Sequence, residues 1–304
     1  RLSLVGSEMC IRDSLSFPVF FRDYPLPRAI GLSLFHSVAS FNNSGFDVLG
    51  NGTSLIPYQK DVLLNLVTCA LVIAGGIGFP VIFELPLKHF SWKRQSMHTR
   101  VVLSTTFALL LFGTLLLKLT ESISWLGAFF YSVSARTAGF STYNLSDFST
   151  AGLLVVSGLM FIGASPASTG GGIKTTTFFV LLSGIYSAAT NHSERAFHNA
   201  IPKDAFRKAS VISMLAVFLV MTASYLMLIF DPQLSLRDVL FEMISAFSTS
   251  GLSTGITPQL SAQSRILSII MMYIGRLGPL TVASLWYFTI GERVRYPEGT
   301  IAIG

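Results

Sequence analysis

Apolar runs of two lengths alternate along this chain. Residues 62–85, 101–119 and 209–230 form runs long and apolar enough to cross a bilayer as helices. Two further runs, 151–189 and 262–290, are apolar but interrupted, the first by GASPASTGGGIKTTT and the second by GRLGP. Between them lie shorter apolar segments, 29–41, 123–135 and 236–247, which suit half-membrane or re-entrant helices. Each short segment closes in a polar, glycine-containing motif: FHSVASFNNSGF (35–46), FYSVSARTAGF (130–140) and FEMISAFSTSGL (241–252). One such motif would be an ordinary surface turn. Three, each preceded by a half-helix and followed by a returning span, define a repeated unit of helix, half-helix with loop, helix. Repetition on this scale predicts pseudosymmetric units in a ring rather than a solenoid.

The loop chemistry tells what the ring surrounds. Irregular backbone is tolerated at membrane depth only where it packs in protein or lines water. Gly45, Gly139 and Gly251 permit positive φ and close approach. Loops of this kind can turn carbonyls inward to replace a cation's hydration shell, and the C-terminal ends of the half-helices carry partial negative charge toward the same place. The expected fold is therefore an all-α polytopic membrane protein, with repeated helix–pore-loop–helix units arranged pseudosymmetrically around a central ion pore.

Composition supports that class. Of 304 residues, 51% are hydrophobic and 12% charged, against about 25% charged in soluble domains. The net charge of +6 bears on orientation, because basic residues collect on the cytoplasmic side. Lys88, Lys93, Arg94 and Arg100 lie in the 87–100 loop, Arg195, Lys203, Arg207 and Lys208 in the 191–208 loop, and Arg293 and Arg295 in the tail. The intervening loops, 47–61, 141–149 and 253–264, hold Lys60 alone. Every half-helix then enters from outside. Cys10 and Cys69 define no disulfide framework, and the five histidines show no metal-ligand spacing. RLSLVGSEMCIRDS (1–14) differs in texture from the rest and is expected to be a non-native leader.

The motifs FNNSGFD, SARTAGFST and SAFSTSGLST resemble the second, third and fourth pore loops of the Trk/Ktr/HKT superfamily of potassium transporters. GASPASTGGGIKTTTF resembles that family's intramembrane gating loop, YIGRLGPLT its last span with a buried arginine, and RYPEGTIAIG the short C-terminus of KtrB-type subunits. The resemblance covers the chain from residue 15 onward. It implies a pore-forming subunit truncated at its N-terminus, lacking the first repeat and most of the second repeat's outer helix. The expected organisation is a partial second repeat (15–85), a cytoplasmic loop (86–100), a third repeat with a broken inner helix (101–190), a second cytoplasmic loop (191–208), a fourth repeat (209–291) and a short cytoplasmic tail (292–304). It also implies K⁺ uptake, in some members Na⁺-dependent, across a bacterial cytoplasmic membrane, by a homodimer on a cytosolic ring of regulatory subunits. That ring, not this chain, would bind NAD or ATP. No bound cofactor and no nucleic-acid partner are expected, and membrane lipid surrounds the chain.

The expected filter residues are Asn43, Ser44 and Gly45; Thr137, Ala138 and Gly139; and Thr249, Ser250 and Gly251, with K⁺ held only there. Phe46, Phe140 and Leu252 are expected to wedge the loops in place. Gly170, Gly171, Gly172, Lys174 and Arg276 are the expected gating residues. Three successive glycines weaken any helix by about 1 kcal/mol each, so 163–177 reads as a mobile plug. Arg276, expensive inside a membrane, reads as a positive barrier in a helix break, with a structural pair to Glu242 as the alternative. Arg136 is expected to hold the third loop through carbonyls, and Asp47, Asp147 and Glu242 to enrich cations at the outer mouth. In 163–177, Ile173 separates Gly172 from Lys174, which departs from a nucleotide P-loop. The rival readings are a Na⁺-conducting relative, an intramembrane enzyme using Ser165 or Ser168 with Lys174, and a non-functional fragment.

Overall fold

The computed structural model describes residues 16–47, 49–50, 52–190, 195–197 and 199–279. The 1–14 leader, the 292–304 tail and residues 280–290 of the 262–290 run lie outside the described residues. After a first helical segment (α1, 16–23) the order is α2 (Leu26–Phe41), α3 (Val62–Ile77), α4 (Phe79–Leu87), α5 (Met97–Thr120), α6 (Trp125–Ser134) and α7 (Thr150–Phe161). There follow α8 (Thr175–Thr190), a two-stranded antiparallel ribbon (β1, Arg195–Ala196, with β2, Asn199–Ala200), α9 (Lys203–Phe230), α10 (Leu236–Ser248) and α11 (Ala262–Leu277). α5 and α9 are long and apolar enough to cross a membrane as single helices. α2, α6 and α10 are the three short helices read from the sequence, and each ends inside its glycine motif, three to five residues before the glycine.

The 62–85 run is not one straight span. It breaks at Gly78 (φ 94°) into α3 and α4, which meet at 98°. Pro80 has no N–H to continue the ladder, and the Phe79 N–H donates instead to the Ala167 carbonyl (3.1 Å). The α3 carbonyls so released are taken by the 163–169 segment: Gly75 accepts from the Thr169 hydroxyl (3.3 Å) and Gly76 from the Ser165 N–H (3.0 Å). The 151–189 run breaks as its composition indicates, between α7 and α8.

Polar caps fix where the helices turn. Ser96, Ser124, Ser149, Ser235 and Ser261 each accept an N–H from the first turn of α5, α6, α7, α10 and α11, and Asp61 does so for α3. Two caps are themselves gripped by an acid at the end of the preceding long helix. Glu121 accepts from the Ser149 N–H and hydroxyl (2.9 and 2.6 Å), and Asp231 from those of Ser261 (3.1 and 3.0 Å). Long helix, short helix with its loop, and returning helix are thereby closed into one unit, twice, by the same device. Glu84 on α4 plays a related part, accepting from Lys88, from the Ser96 N–H and hydroxyl (2.7 and 2.6 Å) and from Thr99. α4 is thus pinned to the start of α5.

Three apolar clusters knit the units. Val133, Ala138 and Phe140 of the second loop segment pack among Val19, Phe20, Ala39, Leu64 and Val72. Leu252 packs with Tyr131, Leu153, Val156 and Met160. Met243, Phe247, Ala216 and Met271 join α9, α10 and α11.

Replacing Ser149 or Ser261 by alanine should lower the unfolding free energy of the purified protein by about 1 kcal/mol each. Ser146→Ala, in an exposed turn, serves as the unchanged control in the same fluorescence-monitored titration.

Candidate functional site: three stacked loops and the segment beneath them

The three glycine motifs adopt one backbone conformation. Asn43 (φ 51°) and Gly45 (62°), Thr137 (100°) and Gly139 (81°), and Thr249 (54°) and Gly251 (82°) all lie at positive φ, in the same alternation. Positive φ at a β-branched threonine is uncommon and costly, and strain of this kind clusters at functional sites. It is held by local hydrogen bonds that double back on the parent helix: Ser44 N–H to Ala39 (3.0 Å), Gly139 N–H to Ser134 (3.2 Å) and Ser250 N–H to Ser245 (3.1 Å). Each donor reaches the carbonyl five residues earlier, so the chain turns sharply at the helix C-terminus and leaves without helix or strand.

The loops stack in chain order. A Cβ on Gly45 would collide with the Ala138 carbonyl oxygen, and one on Gly139 with that of Ser250. Each glycine therefore lies against the carbonyl of the next loop. Gly251 meets nothing within 4 Å and opens onto a cavity of about 440 Å³. Ser44 lines the cavity on one side and Thr249, Gly251 and Leu252 on another. The three loops form an arc with an open flank. α3 and α11 also approach the short helices α2 and α10 through glycine: a Cβ on Gly75 would strike the Phe41 carbonyl, and one on Gly275 that of Phe247.

Beneath the arc, where the helices give way to loops, runs the 162–174 segment. Thr169, Gly170 and Gly171 touch the first residue of each loop in turn. The Asn43 amide, oriented to satisfy its neighbours, accepts from Thr169 Oγ1 (3.2 Å) and donates to the Ser40 and Val72 carbonyls. Gly170 abuts Thr137 Oγ1, and Gly171 abuts Thr249 Oγ1. Two cations hold this segment: Arg276 donates to the Thr169 carbonyl and Lys174 Nζ to that of Gly170 (2.6 Å). Gly172 carries a positive φ of 72° and lies against Phe161 and Gly163.

The family profile described as TrkH, cation transport protein, matches residues 10–117 and 97–288. The chain belongs to the TrkH family of cation transport proteins. Its relatives are transporters rather than enzymes. It is 36% identical over 292 residues to the Ktr system potassium uptake protein B of Vibrio alginolyticus, covering 90% of this chain and 62% of that protein. It is 35% identical over 289 residues to the Ktr system potassium uptake protein D of Bacillus subtilis, covering 89% and 63%. It is 34% identical over 304 residues to the potassium/sodium uptake protein NtpJ of Enterococcus hirae, covering 94% and 67%. The chain thus spans a little under two thirds of the first two relatives. The fold matches the crystal structure of the potassium transporter TrkH from Vibrio parahaemolyticus with a TM-score of 0.73 at 16% identity, covering 94% of this chain and 63% of that one.

Within the TrkH-family fold, several residues singled out from the sequence stand elsewhere than expected. Phe140 and Leu252 are buried wedges, but Phe46 is 62% exposed. The reason is positional: Phe140 packs on the second unit (5.3 Å from the His36 ring) and Leu252 on the third, whereas Phe46 lies beside the exposed Phe35 ring (6.3 Å). Arg136 does not hold carbonyls; its Nε is buried without a partner, beside Val72, Gly76 and Thr106. Arg276 pairs with the Thr169 carbonyl and not with Glu242, whose Oε1 accepts from Thr257 (2.6 Å). Lys174 likewise turns to a carbonyl, while Ser165 accepts from the Thr175 hydroxyl (3.0 Å), so no serine–lysine nucleophile forms. The sequence missed the contacts of Gly170 and Gly171 with Thr137 and Thr249. Their only signal is that a threonine stands at the same position of two loops.

Gly139→Ala should cost roughly 3 kcal/mol, from the clash with Ser250 and the lost left-handed conformation. Gly158→Ala, in α7 with open space around it, should add about 0.5 kcal/mol. Unfolding midpoints of the two variants, measured side by side, check the pair.

Proposed function

We propose that this chain forms most of the ion-conducting subunit of a bacterial potassium uptake system. The observation that carries the reading is the matched geometry of the three loops, stacked glycine against carbonyl, with Thr169–Gly171 packed across the first residue of each. Asn43, Ser44, Gly45, Thr137, Ala138, Gly139, Thr249, Ser250 and Gly251 act as filter residues. Loop carbonyls and the C-terminal ends of α2, α6 and α10 favour a monovalent cation there. A fourth loop would close the arc between Gly251 and Ser44. In this reading 15–85, 101–190 and 209–291 are the second, third and fourth repeats, separated by cytoplasmic loops at 86–100 and 191–208 in the inner membrane.

Transport is passive and is closed by the 163–177 segment. Gly170, Gly171 and Gly172 give the plug its compactness, and Lys174 and Arg276 pin it while placing two positive charges below the filter. Movement of a cytosolic nucleotide-binding ring beneath a homodimer would be felt at this segment. K⁺ is cargo rather than a resident cofactor. A second reading, Na⁺ or mixed K⁺/Na⁺ conduction, is favoured by the similarity to a relative named for both ions.

The deciding experiment expresses the gene over its full reading frame, with its regulatory subunit, in a bacterium stripped of its own K⁺ uptake. Growth at low external K⁺ that is restored by the intact gene and lost with Gly139→Asp supports the reading. Failure of a well-expressed, membrane-inserted protein to restore growth, with Na⁺ influx intact, moves the assignment to sodium. Arg276→Gln should loosen the plug and raise the basal rate of Rb⁺ entry; an unchanged rate removes Arg276 from the gate.

A further inference from the structure

We propose that α4 and the turn after it form an anionic-lipid anchor lying in the plane of the membrane surface, on the face that carries the basic loops. The inference follows from the 98° turn at Gly78 and rests on the membrane placement of the family, not on which cation is carried.

Geometry sets the depth of α4. α3 holds 16 residues, about 24 Å at 1.5 Å per residue, and so ends a few ångströms short of crossing a hydrocarbon core about 30 Å thick. A helix leaving it at 98° runs nearly parallel to the surface at that level. Interfacial helices lie about 5–10 Å into the boundary between headgroups and acyl chains.

The faces of α4 are arranged for that site. Its inward side carries Val81, buried, and Glu84 and Lys88, tied to each other and to the N-terminus of α5. Its outward side carries Phe79, Phe83 and Leu87 in an i, i+4, i+8 stripe, 62%, 51% and 75% exposed, with the Phe79 and Phe83 rings 4.5 Å apart. Phe90 and Trp92 prolong the apolar surface. A helix that turns its polar side to the protein and its apolar side outward expects hydrocarbon.

Charge complementarity decides which lipid. Lys93 and Arg94 are exposed directly after this stripe and pair with no carboxylate among the described residues. Arg100 donates to the Trp92 and Lys93 carbonyls (3.0 and 2.5 Å), which rigidifies the turn that presents them. Aromatic rings at headgroup level beside two such cations match the phosphate of an anionic phospholipid. Trp92 stacks edge-on against Phe197 (5.8 Å), so the turn has a fixed place.

The test uses the full-length protein with every tryptophan except Trp92 replaced by phenylalanine. It is reconstituted into vesicles in which either phosphatidylglycerol or phosphatidylcholine carries brominated chains at equal mole fraction. Trp92 fluorescence should be quenched by bromolipid and protected from aqueous iodide. Quenching should be stronger with the anionic lipid, and each basic residue removed should reduce its local enrichment by about fivefold. Lys93→Gln with Arg94→Gln should retain quenching by lipid chains while losing the headgroup preference, a pattern that misfolding would not give. Equal quenching by both lipids overturns the anionic preference. Quenching by iodide alone places the turn in water, quenching by neither places it under a protein partner, and both overturn the anchor.

Discussion

Inside a bilayer no water rescues an unpaired carbonyl, so every break in a helix must be answered by another part of the protein. This requirement organises the centre of the molecule. The 98° turn at Gly78 frees the carbonyls of Gly75 and Gly76, and Thr169 and Ser165 take them. The segment that does so is itself irregular and needs partners in turn. Phe79 N–H reaches Ala167, Ile173 N–H reaches Phe161, Thr175 N–H reaches Ala164, and Arg276 and Lys174 cover Thr169 and Gly170. The 163–175 segment and the broken helix are therefore halves of one hydrogen-bonded object. Displacing either costs bonds on both sides, so the composition that makes the segment irregular does not make it loose.

The same constraint explains where the pseudosymmetry holds and where it gives way. α3 and α11 match in layout, each 16 residues long, each with a glycine two residues before its end against a carbonyl of the preceding short helix and a positive-φ glycine after it. In the third unit the inner helix stops at Phe161, and thirteen residues of loop fill the space below the three stacked loops before α8 begins. The asymmetry is confined to the place where all three loops can be touched at once. Because Asn43, Thr137 and Thr249 occupy one register, one short run of small residues meets them all.

Much of this was legible in the sequence, for physical reasons. Helix lengths measured against bilayer thickness separated spans from half-helices, and recurrence of small–Gly–apolar motifs located the three loops within a residue. What remained hidden depended on neighbours rather than on pattern. The 62–85 run has the length and apolarity of a span, and only Gly78 with Pro80 betrays the turn that partners in 163–169 complete. Phe46, Phe140 and Leu252 look equivalent in sequence, yet each is buried by the unit before its own, so the first of them lies bare. Arg136 sits where a carbonyl clamp was expected, but its guanidinium leans away from the loop toward α3 and α5. Side-chain direction of that kind leaves no periodic trace.

Electrostatics gives the arc a direction. Glu242 is held near its outer side, with one oxygen engaged by Thr257 and the other unpartnered, and Asp147 is exposed in the loop that precedes α7. At the opposite end the charges reverse: Lys174 and Arg276 meet on consecutive carbonyls. Lys174 is half-buried and Arg276 exposed, and each cation has its own acceptor, the Gly170 and Thr169 carbonyls respectively, which offsets the repulsion between them.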